Sequence, residues 1–196
     1  MKHRVTEELN GVLVFVGLIW AVFLMDAILP GDFNQYGLVP RHVSGLAGIV
    51  TMPFLHGSWS HLLGNTVPLV VLLTLLAGSR ANSFRIVLRL ILSGGALLWL
   101  LGRSDSIHVG VSGLIYGLMA FLIVAGFREG RLIALGVALL VGFLYGATLI
   151  SGVLPFGVAD GVSWDGHLTG AIAGVIVAVT SVKPTSSNSD VAQVDL

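Results

Sequence analysis

Long apolar runs separated by short polar stretches dominate this chain. Six segments are long and apolar enough to cross a bilayer as helices: 11–29, 61–77, 85–101, 111–127, 132–150 and 166–182. A hydrocarbon core of about 30 Å takes about 20 helical residues. Lipid offers no partner to an unpaired backbone amide or carbonyl, so helices are the economical spanning element. The pattern predicts an all-α polytopic membrane protein, a six-helix bundle over residues 11–182. Residues 1–10 form a polar N-terminal segment, and residues 183–196, rich in Ser, Asn and Asp, read as a disordered tail. Two connections are long, 31–60 and 151–165.

Composition agrees with a lipid environment. Hydrophobic residues make up 55% of the chain and charged residues 10%, against about 25% charged in a soluble domain. The apolar run at 11–29 exceeds the core of about 7–15 residues of a cleavable signal peptide, so it reads as a retained helix. Net charge is zero, which gives no reason to expect a nucleic-acid partner. Cysteine is absent, which excludes disulfides, a thiol nucleophile and thiolate metal sites.

Basic residues set the expected orientation. Lys2, Arg4, Arg80, Arg85, Arg89, Arg128, Arg131 and Lys183 fall on one side of a six-span arrangement, and only Arg41 and Arg103 on the other. Both termini are then expected in the cytoplasm. Both long connections, and the starts of the second, fourth and sixth segments, are expected outside it.

Polar groups within apolar helices are costly and point to function. His61, Asn65, Ser112 and His167 stand out, all near the same expected end of the bundle. Ser112 lies in Gly-Val-Ser-Gly at the start of the fourth segment, where free helix amides and the helix dipole can stabilise an alkoxide; a serine there can also simply cap the helix. His167 lies in Gly-His-Leu-Thr-Gly at the start of the sixth, and an imidazole is the group that makes serine nucleophilic. Gly113 and Gly117 on the fourth segment, and Gly166, Gly170 and Gly174 on the sixth, form small-residue stripes that let two helices approach closely. Tyr116, one turn after Ser112, can pack on the imidazole. His61 and Asn65, four apart on one face, can donate to an oxyanion; a plain interhelical hydrogen bond is the competing use of Asn65. His56 reads as a brace at the entry to the second segment. Asp165 suits a helix cap better than a metal ligand or triad member, and with no H-E-x-x-H pair no metal site is expected.

These elements in this order resemble the rhomboid family of intramembrane serine proteases. The matching stretches are Phe54-Leu55-His56, His61-Leu62-Leu63-Gly64-Asn65, Gly110-Val111-Ser112-Gly113 with Tyr116, and His167-Leu168-Thr169-Gly170 with Gly174. The resemblance implies a Ser112–His167 dyad with no carboxylate and no cofactor. It implies an oxyanion site of His61, Asn65 and the Ser112 amide, with the Gly110 carbonyl aligning substrate. It also implies transmembrane protein substrates, a water-filled cavity open to the extracytoplasmic side, and a bacterial plasma membrane location. Residues 151–164, together with the upper part of the fifth segment, would form a mobile gate, a motion that glycines 152, 157 and 161 suit. A non-catalytic escort protein of the same fold is the alternative; a transporter would need polar residues along a pore rather than at one depth. The Trp-Arg pair that many members carry in the first long connection is absent, where residues 45–51 read Gly-Leu-Ala-Gly-Ile-Val-Thr.

Overall fold

A computed structural model describes residues 4–156 and 162–184 of the chain. Gly157 and Gly161 of the expected gate, and the tail from 185, lie outside the described residues. Among the described residues there are α-helices and 3-10 turns but no strand. The α-helices are α1 (Val5–Ile28), α2 (Gly48–Thr51), α3 (Trp59–Ser79), α4 (Ser83–Leu101), α5 (Ser112–Glu129), α6 (Leu132–Gly152) and α7 (Trp164–Ser181). Local chemistry sets several of these ends. The Ser58 hydroxyl accepts from the His61 amide (3.1 Å) and starts α3. The Ser163 hydroxyl does the same for Gly166 (3.1 Å) at α7. Gly130, left-handed at φ 65°, ends α5.

Five helices, α1 and α3 to α6, are long and apolar enough to span a bilayer. The sixth long helix, α7, carries Asp165, His167 and Thr169 near its start, and all three are buried. Its polar start is covered by protein, while farther along it buries Ala173, Gly174, Val177 and Ala178 on one face and turns Ile172, Val175, Ile176 and Val179 outward. Every residue of α5 from 114 to 122 is buried, so α5 is the core of the bundle. By contrast α1 buries only Val12, Ile19 and Phe23 and turns Leu13, Val14 and Ile28 outward.

The glycine stripes hold the centre together. A Cβ on Gly117 would lie 3.1 Å from the Gly170 carbonyl oxygen, and one on Gly113 would lie 3.3 Å from that of Gly166. A Cβ on Gly170 would overlap the Gly113 carbonyl, and one on Gly174 the Gly117 carbonyl. Helices α5 and α7 therefore touch backbone to backbone. Gly94 of α4 also faces Gly170, a glycine contact that the stripe pattern alone did not include.

The connection between α1 and α3 is held without a Trp-Arg anchor. Leu38 and His108 exchange both backbone hydrogen bonds (2.9 and 2.8 Å). The Arg41 amide donates to Trp99 O (2.9 Å), and its guanidinium donates to the Gly102 carbonyl (2.7 Å). Trp99 Nε1 returns a bond to His42 O (2.9 Å), and the Gly110 amide donates to Met52 O (3.0 Å). The segment is stapled to the end of α4 and to the 102–110 loop, which leads directly into Ser112.

Candidate functional site

The starts of α3, α5 and α7 meet at one cavity of about 840 Å³. His61, Asn65, Ser112 and His167 line it, together with Arg103, His108 and Ser163. Ser112 opens α5, and no side chain caps that helix end, so its hydroxyl is not used as a cap. The Ser112 backbone N–H is among the opening amides that an α-helix leaves without an internal partner.

His167 is buried and tightly held. Its ring stacks on Tyr116 with centroids 4.0 Å apart and planes 5° apart. Its Nδ1 lies 3.0 Å from the carbonyl oxygen of Gly152. The Tyr116 hydroxyl donates to Thr148 O (3.1 Å), so both rings are tied to the end of α6. Among the described residues no hydrogen bond joins Ser112 directly to His167; catalytic hydrogen bonds commonly tighten only when substrate binds.

Two further groups face the cavity from α3. An amide nitrogen can only donate, so Asn65 Nδ2 donates to His56 Nε2 (3.2 Å), which orients the carboxamide and leaves it a second N–H. His61 sits beside Gly110, whose φ of 109° favours glycine. A Cβ there would lie 2.6 Å from Cε1 and Nε2 of His61, so the close approach of loop and imidazole also requires glycine.

His56 lies outside the spanning helices, and its environment makes a pH prediction. Burial, reinforced by the neighbouring His61 ring and partly offset by the Phe54 backbone, lowers it from 6.5 to about 4. Between those values the folded protein binds fewer protons than the unfolded chain. The contribution is therefore complete above pH 6.5 and is lost as pH falls toward about 4, by up to about 3 kcal/mol. Thermal unfolding in detergent is expected to show Tm declining across that window. His56→Gln should remove this part of the decline, and an unchanged profile in that variant would contradict the assignment.

One largely buried network at the site has no signature in the sequence. Asp165 is not the cap of α7, which is Ser163; it lies in the first turn and accepts from the Arg103 amide (2.9 Å). The Arg103 guanidinium and the Ser163 hydroxyl (3.0 Å) complete its shell, and His108 Nδ1 meets Ser163 Oγ at 2.8 Å. This network joins the 102–110 loop to the start of α7, bracing the segments that carry Ser112 and His167. Apart from Ser163, the partners of Asp165 lie some 60 residues away in sequence, so no local motif announces the pairing.

A family model described as "Rhomboid domain" matches residues 43–184. Uncharacterized proteins from Mycobacterium tuberculosis and Mycobacterium bovis are each 40% identical to this chain, covering 85% of it and 72% of their own length. A similar protein from Mycobacterium leprae is 40% identical, with 68% of its length covered.

Proposed function

Since this chain belongs to the rhomboid family, we propose that it is an intramembrane serine endopeptidase acting through Ser112 and His167. The observation that supports this reading is the shared cavity. A serine at a helix start, a buried imidazole and two further donors, His61 and Asn65, face one space of about 840 Å³. In the proposed reaction His167 takes the Ser112 proton and Oγ attacks the scissile carbonyl. The Ser112 amide, His61 and Asn65 donate to the developing oxyanion. His167 then protonates the leaving amine, and water releases the acyl-enzyme. Substrates would be transmembrane helices that unwind locally at small residues. The cavity would open on the extracytoplasmic side, as the distribution of basic residues suggests.

Purified protein in detergent, incubated with a model transmembrane substrate, is expected to yield two fragments cut at a single bond, unaffected by EDTA. Wild type that binds the substrate and never cuts it would instead support a non-catalytic escort role. The oxyanion assignment makes its own prediction. Asn65→Ala should lower kcat about 10²-fold to 10³-fold with a smaller change in KM. A loss confined to KM would make Asn65 a substrate-binding or structural group.

A further inference from the structure

The end of α6 reaches the site through two backbone carbonyls. Thr148 O accepts from the Tyr116 hydroxyl (3.1 Å), and Gly152 O lies 3.0 Å from His167 Nδ1. A carbonyl oxygen can only accept, so Nδ1 carries the proton. In a neutral imidazole the lone pair then sits on Nε2, the atom free to take a proton from serine. In Ser-His-Asp enzymes a carboxylate performs this task, and the wrong tautomer costs about 10⁴-fold. The nearby carboxylate here, Asp165, is engaged by Arg103 and Ser163.

We infer that the Gly152 carbonyl is a positioning group that holds His167 as its Nδ1–H tautomer, so that the base is configured only while the end of α6 is seated against Tyr116. This rests on the reading of Ser112 and His167 as the catalytic pair. Two observations support it independently of the hydrogen bond. A Cβ on Gly152 would overlap the Tyr116 hydroxyl, so only glycine brings that carbonyl to the ring pair. The buried residues of α6 are Ala134, Ala138, Val141 and Gly152. Beyond Val141, Gly152 is the one buried residue of the helix, while Phe143, Leu144 and Ile150 face outward. Displacement of this end toward lipid would break both carbonyl bonds together and free the imidazole to turn.

The test is a tautomer measurement. Full-length protein labelled with 15N-histidine in detergent micelles would be observed by NMR at mildly alkaline pH, with His167 assigned by its loss in His167→Ala. The expected wild-type result is a protonated Nδ1 and an unprotonated Nε2. Gly152→Ala is expected to populate the other tautomer and to lower kcat about 10²-fold with KM little changed. Wild-type His167 protonated on Nε2 would overturn the inference, and needs no variant to fold. So would a Gly152→Ala protein that keeps both tautomer and kcat. The tautomer is read without substrate. An Nδ1–H ring in a protein that cleaves nothing therefore counts against the dyad and still supports the hydrogen bond.

Discussion

Ser112→Ala is expected to reduce cleavage of a transmembrane substrate on the order of 10⁶-fold, and His167→Ala by a similar amount. The size follows from how the pair works. A neutral serine hydroxyl is a weak nucleophile, and an imidazole without a nucleophile to activate has no chemistry to perform. Either loss removes the same covalent route, so the double variant should be no worse than either single one. The residual rate would come from substrate orientation and the oxyanion donors His61 and Asn65. Ser112→Ala should keep wild-type thermal stability within about 1 kcal/mol, since Ser112 caps nothing. His167→Ala gives up its stacking on Tyr116 and its bond to the Gly152 carbonyl, so Ser112→Ala is the cleaner control. Additive losses in the double variant would mean that the two residues act in separate steps.

The second large effect is expected at a position with no reactive group. Gly170 faces the Gly113 carbonyl so closely that a Cβ would overlap it. The obstacle is backbone on a buried helix and cannot rotate away, so Gly170→Ala must push α7 off α5. The expected cost is about 3 kcal/mol of stability. Because Ser112 and His167 stand on those two helices, a shift of about 1 Å should also lower activity about 10²-fold. Gly136→Ala is the matched control, because a Cβ there meets nothing within 4 Å; it should change stability by less than about 0.5 kcal/mol. Differential scanning of both variants in detergent, with cleavage rates, decides the matter. A Gly170→Ala protein indistinguishable from wild type would mean that the helices are not packed backbone to backbone.

The parts legible in the sequence were those with a local signature. Apolar runs of spanning length marked the helices, because lipid forces backbone hydrogen bonds to close within each segment. Glycines four apart marked the contact of α5 with α7, because only a missing side chain permits it. Ser112, His167, His61 and Asn65 were visible because polar groups are rare in such helices. What was hidden depends on groups that every residue carries, or on distant partners. The Gly152 and Thr148 carbonyls at the site have no side-chain signal, and Gly152 looked like a glycine for loop motion when its structural use is close approach to Tyr116. The first long connection is held by Arg41, Trp99 and backbone bonds at Leu38 and Gly110, none of which forms a motif. The cover of Asp165 at the start of α7 was hidden because Arg103 and His108 reach it from the 102–110 loop, far away in sequence.

Whether Ser112 is an activated nucleophile is read most directly by labelling the detergent-solubilised protein with a fluorophosphonate probe, followed by peptide mapping of the modified residue. The expected result is a single adduct on Ser112, absent in Ser112→Ala and strongly slowed in His167→Ala. An adduct on another residue, or equal labelling of wild type and Ser112→Ala, would contradict it.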